Sequence, residues 1–389
     1  MVKFASFCGF IAALGHVIGV QASLQSSSSS SSSLIPRGSK KKPCPPLKKK
    51  GDFVIDYYQL YPENADWDED SCLLWIGSLW NATVAIYNPY TSTITSVLSF
   101  PNISLTLAHI GGVAWDPYNT NLITILSNSP RPWATAGADI TDERQIIKYN
   151  PRTQKTIWQR NMVDISRDRY GGFQDVETDK RGNTYVVGTY PGVIIRIDKT
   201  GKRMDEWYLN SPLVPTTRKG FTGIAVVRGS GFNTQTEKEK EKEKEAMLAT
   251  DGDGRLYKFD LSAERGKPVN VPIRPEVLYN DTDAIYLPPK YRGKVLLVAS
   301  LFGGIQVLRS KEGGGVAWKS AEYLGTIPRP TGPLIDGGAI TAPVQIGSDS
   351  LFMVVGYIDF PFVPGTVAGP RSKFPWFDIT DEVERLLKK

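Results

Sequence analysis

Three carboxylates and one imidazole, far apart in the chain, stand at comparable places in it. Glu63, His109, Asp175 and Asp283 each fall at or just before a short apolar strand signal, in YPENADW, AHIGGVAW, FQDVETD and YNDTDAIYL. Carboxyls crowded into one channel raise one another's pKa, and can then bind a cation or divide the roles of acid and base. Each residue also has a plainer reading. Glu63 can hold the turn before residues 66–70, and Asp175 and Asp283 can cap backbone amides where a strand begins. His109 is the one histidine left once an N-terminal signal is removed, and a lone histidine is more often structural than catalytic.

What would gather these residues is a repeated sheet module. Residues 176–209 (VETDKRGNTYVVGTYPGVIIRIDKTGKRMDEWYL) are short β-branched and aromatic runs divided by Gly, Asn and Asp turns, which signal strands and hairpins. Sister stretches lie at residues 72–89, 121–159, 247–261, 294–310 and 350–360, each with an apolar strand, a small residue such as Gly77, Gly188, Ala249, Ala299 or Gly356, and a turn. A shorter strand precedes most of them. About six modules predict an all-β, six-bladed β-propeller over residues 52–389. Residues 53–60 (FVIDYYQL) are a strand with no module of their own and would close the ring by pairing into the last blade. Residues 378–389 read as a short helix capped by Thr380, with Glu382 and Glu384 in its first turns.

In such a ring one mouth of the channel is lined by the residues that begin each inner strand and by the turns between second and third strands. The first set is Glu63 and Asn64, His109 and Ile110, Gln174 and Asp175, Thr222, Thr282 and Asp283, Gly337 and Gly338. The second includes Trp80, residues 130–133, Tyr190, Phe302, Tyr357 and Asp359. This aromatic rim suits a compact apolar molecule. Asp251-Gly-Asp-Gly lacks a calcium loop's closing Glu and reads as a hairpin turn.

The ends bound the class. Residues 1–22 read as a cleaved secretory signal, with a membrane anchor as the rival reading. Residues 23–51 are a Ser, Lys and Pro tail whose six lysines, Lys40–Lys42 and Lys48–Lys50, account for the net charge of +6; the near-neutral remainder implies no nucleic-acid partner. The expected product is a secreted monomer with no stable membrane span. Cys44 and Cys72 can pair, or Cys72 can be free and buried. Sequons occur at Asn81, Asn102 and Asn280, and TEKEKEKEKE at residues 236–245 is a charged insertion in the fourth module. One usable histidine excludes multi-His zinc sites, and neither a nucleophile elbow nor a phosphate loop is present.

YPENADWDEDSCLLWIG resembles the opening of the gluconolactonase and senescence-marker-protein group of six-bladed propellers. The resemblance implies a divalent cation (Ca, Mg or Zn) held by Glu63 and Asp283, with Asp283 also a base. Gln174 stands where the group has a metal-binding Asn, and Thr222 replaces a second Asn ligand. FVIDYYQLYPENADWD and LWNATVAIYNPYT are similar to propellers encoded in fungal trichothecene clusters, which implies a part in secondary metabolism or virulence. Three functions follow. An acid/base isomerase or cyclase would use Glu63, Asp175, Asp283 and His109 as catalytic groups. Trp80, Tyr190, Phe302 and Tyr357 would enclose the substrate, with Gln174 and Thr222 binding it. A cation-dependent lactonase or esterase is the second, and a secreted binding protein or effector the third.

Overall fold

The computed structural model describes residues 44–388, apart from 106–107, 120, 142, 229–244, 277–280, 313–317 and 360. The signal segment, most of the tail, nearly all of the charged insertion and Asn280 lie outside the described residues. Six sheets follow one another and close into a six-bladed β-propeller. The third blade is the pattern: Gly171–Thr178, Thr184–Tyr190, Val193–Ile197 and Met204–Leu209 pair antiparallel in sequence order. The fifth blade carries one strand more, Ile273–Arg274, laid parallel along its outer edge.

The ring closes as the N-terminal run predicts. Phe53–Asp56 pairs antiparallel with Lys373–Asp378, Phe53 opposite Trp376, and becomes the outermost strand of the sixth blade. Phe53 packs against Phe352 and Trp376 at ring distances of 5.1 and 5.8 Å. Cys44 and Cys72 form a disulfide that ties the tail's end to the first blade.

Apolar residues concentrate where neighbouring blades meet. One cluster joins Trp75, Val84 and Ile86 of the first blade to Ile110, Val113 and Ile125 of the second. The small residue in the second strand follows from this contact. A Cβ on Gly77 would come within 2.7 Å of Ile110 Cγ2 in the next blade, so a larger side chain would push the blades apart.

The C-terminal helix, Thr380–Leu387, is present, but Thr380 is its first residue and not its cap. The Thr380 hydroxyl donates to Asp378 Oδ1 and accepts from Leu351 N at 2.9 Å, tying the helix to the sixth blade. Among the described residues no helix is long and apolar enough to cross a membrane.

Candidate functional site

The innermost strands are Pro62–Asp68, His109–Trp115, Gly171–Thr178, Phe221–Val227, Thr282–Tyr286 and Gly338–Ile346. All six break register near their starts, at Pro62/Ala65, Ile110/Gly112, Phe173/Asp175, Phe221/Gly223, Thr282/Ile285 and Ile340/Ala342. A bulge inserts an unpaired residue and re-aims its side chain. The residues so placed are Glu63 and Asn64, Gly111, Gln174, Thr222, Asp283 and Ala284, and Thr341. They make one ring at one mouth of the channel.

Glu63, Gln174 and Asp283 come together there from three blades. Gln174 Nε2 donates to Asp283 Oδ1, and Gln174 Oε1 faces the Thr189 hydroxyl at 3.1 Å. Burial pushes the Asp283 carboxyl up to about 7, against the nearby Lys219 ammonium, the Gln174 bond and the Ala284 amide. Glu63 is held well above the usual carboxylate range, first by desolvation and then by Asp283. The two therefore resist ionising together. Asp175 lies close enough to Asp283 to feel its charge, yet both its oxygens accept backbone amides, from Val176 at 2.9 Å and Ile224 at 3.0 Å. It clamps the third blade to the fourth. Asp66 does the same between the first two blades, through Trp67 N and Trp115 N.

The remaining expected residues are placed as follows. Thr222 belongs to the ring, but it is fully buried and its hydroxyl lies 3.1 Å from that of Thr282. His109 sits two residues before its blade's bulge, buried edge-on against Trp133 at 5.3 Å; burial lowers its pKa to about 4 and keeps it neutral. Tyr190 and Tyr357 end the second strands of their blades and are buried. Tyr357 donates to Leu334 O at 2.5 Å beneath the Arg371 guanidinium, which lies 3.8 Å from its ring. Trp80 donates to Tyr357 O at 3.0 Å and packs edge-on against Phe362. Phe302, 56% exposed, reaches solvent on this face, as do Leu213, Leu334 and Ile358.

Below the mouth, residues from all six inner strands line a cavity of about 40 Å³, room for a few waters. Asp66, Asp175, Glu177 and Tyr286 are among its polar walls. At its lower end Arg228 pairs with Glu177 at 3.3 Å, while Glu245 accepts from the Tyr118 hydroxyl and from Lys180 N. A ligand larger than a few waters must therefore sit over the ring.

The residues present do not make the cation cage that the gluconolactonase resemblance implies. Thr222 turns its hydroxyl to Thr282, and Gln174 offers Asp283 its NH₂ and not its carbonyl oxygen. Among the described residues no three His, Cys, Asp or Glu side chains gather closely enough to hold an ion. Asp251 accepts from Asp253 N, Arg255 N and the Tyr257 hydroxyl, as a hairpin residue does.

Sequence reasoning missed Thr341, Asn128 and Lys219. Lys219 lies beside Asp283 and forms an ion pair with Asp281 at 3.3 Å. The sixth blade's ring position falls at Thr341, three residues past Gly338.

No protein-family profile matches the chain. The major allergen Mala s 1 of Malassezia sympodialis shares the fold, with a TM-score of 0.66 and 19% identity over 84% of this chain and 95% of that one. Core trichothecene cluster protein 14 of Fusarium sporotrichioides is 28% identical over 361 residues, 88% of each chain. Trichothecene biosynthesis protein 14 of Trichoderma arundinaceum is 32% identical over 362 residues, 89% of this chain and 92% of that one. With that identity carried through nearly the whole propeller, the chain belongs to the trichothecene biosynthesis protein 14 family.

Proposed function

We propose that this propeller serves secondary metabolism, as the names of its relatives say of them, by moving protons on a compact terpenoid held over the channel mouth. The observation that carries the reading is the Glu63–Asp283 pair: two carboxyls from distant blades, both biased toward the acid form beside Gln174. A pair that ionises once before it ionises twice supplies an acid and a base at neutral pH. The carboxylic acid protonates an allylic hydroxyl, and its C–O bond breaks with loss of water. A second hydroxyl of the same molecule attacks the allylic carbon, and the carboxylate takes its proton as the new C–O bond closes a ring. The pair ends with the proton moved from one oxygen to the other, ready to be redistributed. The apolar side chains exposed on the mouth face, Leu213, Phe302, Leu334 and Ile358, suit the hydrocarbon body.

The test compares metabolites of a producing strain carrying the wild-type chain with those of strains carrying Glu63→Gln and Asp283→Asn. An uncyclised precursor should accumulate in both mutants. An unchanged product profile from folded mutant protein overturns the reading.

A further inference from the structure

One ring position and a side chain beside another each leave a buried polar atom without a partner among the described residues. In the sixth blade Thr341 is 6% exposed, and its hydroxyl has no hydrogen-bond partner among the described residues. It stands beside Glu63: a Cβ on Gly356 would come 2.7 Å from Thr341 Cγ2 and 3.4 Å from Glu63 Oε2. In the second blade the ring residue is Gly111, and the space it leaves is bordered by Asn128 Nδ2 and His109 Nε2, at 3.2 and 3.4 Å from where a Cβ would sit. Asn128 is 1% exposed; its Nδ2 donates to Phe173 O, next to Gln174, while its Oδ1 has no partner among the described residues. An unmet buried polar group costs on the order of 1–3 kcal/mol, so such groups mark places where something else arrives.

We propose that Thr341 Oγ1 and Asn128 Oδ1 are the recognition groups of the mouth, and that the site takes a neutral ligand carrying at least two oxygen functions, one of them a hydroxyl. Asn128 Oδ1 can only accept, so the group that meets it must donate; Thr341 Oγ1 can do either. Anions are disfavoured, because Glu63 and Asp283 flank the position and the nearby ammonium of Lys219 is already paired with Asp281. The proposal rests on the reading of the mouth as a metabolite site and adds which side chains select the ligand. Neither residue is assigned a proton-transfer step.

The experiment is calorimetric binding of three probes, a sesquiterpene diol, the matching mono-ol and the parent hydrocarbon, to wild type and to Thr341→Val. Valine keeps the shape and removes the hydroxyl. Wild type should bind the diol most tightly and the hydrocarbon least. Thr341→Val should lose roughly five- to tenfold in diol affinity, the worth of one hydrogen bond, while its hydrocarbon affinity and its unliganded melting temperature do not fall. A variant that binds the diol as wild type does overturns the role of Thr341. Equal wild-type affinity for diol and hydrocarbon overturns the whole recognition proposal but leaves the metabolite site standing. Failure of wild type to bind any probe overturns both.

Discussion

Replacing Asp283 with asparagine should strengthen the fold at alkaline pH while it disables proton transfer at the mouth. Asp283 is 6% exposed, and its carboxyl is pushed from 3.8 to about 7, chiefly by burial. The unfolded chain releases this proton near the ordinary carboxylate value; the folded chain keeps it until about 7. Between those two values the folded state holds more protons, so stability falls as pH rises, by about 1.4 kcal/mol per pH unit for one such group. Over the interval the penalty is on the order of 4 kcal/mol, absent below the unfolded pKa and fully present above the folded one. Asparagine keeps an oxygen for Gln174 Nε2 and has no charge to bury. Asp283→Asn and wild type should therefore unfold together near pH 4. At about pH 8 the mutant should melt roughly 5 °C higher, for a unit of some 340 residues. The assay is thermal unfolding of both proteins across that range. A constant offset at every pH, or a mutant less stable at pH 8, would refute the claim that the mouth holds a desolvated carboxyl.

Other perturbations test the parts around the site. Arg228→Met removes the cation from buried Glu177 and should cost about 3–5 kcal/mol at neutral pH and less as pH falls, because burial already raises the Glu177 carboxyl and a proton replaces the lost cation; denaturant midpoints across the pH range decide it. Cys72→Ser opens a disulfide spanning 28 residues and should cost about 3–4 kcal/mol by the chain-entropy relation, read as a lowered unfolding midpoint matched in wild type by reductant. Of the two described sequons, Asn102 is exposed, whereas Asn81 donates to Gln59 O at 3.3 Å and accepts from Thr83 at 2.6 Å. Expression through a secretory host should put a glycan on Asn102 and leave Asn81 bare, and peptide mass mapping checks both.

The ring was legible because its signals are local and repeated. Period-2 alternation and Asp-centred turns recur from blade to blade: Asp68 and Asp179 accept the amides of their own turns, Asp70 N and Ser71 N in one, Arg181 N and Asn183 N in the other. The closing strand was legible because residues 53–56 are a strand signal with no hairpin of their own. What was not legible is register. A bulge shifts every later side chain by one position, and no residue type announces it. How far the bulge lies from the strand's first residue also varies: the sixth blade's ring residue is Thr341, past the expected Gly337 and Gly338, and the second blade's is Gly111, past His109. Two aromatics of the expected rim, Tyr190 and Tyr357, are buried while Phe302 is exposed, and the reason is different. Tyr357 ends a strand of the sixth blade and is covered by Leu334 and Arg371 from the loops that lead into that blade's neighbouring strands, loop positions that strand patterning does not specify.

The channel's two ends differ in a way that decides where chemistry can occur. At the lower end buried carboxyls meet a buried cation: Arg228 bonds Glu177 and lowers the cost of Asp66. The guanidinium there offsets part of that charge, although burial still raises Asp66, to about 7, and Glu177. At the upper end Lys219 sits on the exposed side, shared with Asp281; its ammonium and the Gln174 bond favour the Asp283 carboxylate, yet burial outweighs them and holds both Glu63 and Asp283 toward the acid form. A carboxyl stabilised by a proton, and not by a guanidinium, can hand that proton over. Moving a cation to the mouth, for example by Thr341→Lys, should then lower both carboxyl pKa values and abolish acid catalysis while the propeller stays intact. Carbon-13 NMR of the side-chain carboxyls would follow the shift directly. Unmoved titration of Glu63 and Asp283 in a folded Thr341→Lys protein would mean that the sixth blade's bulge does not face them.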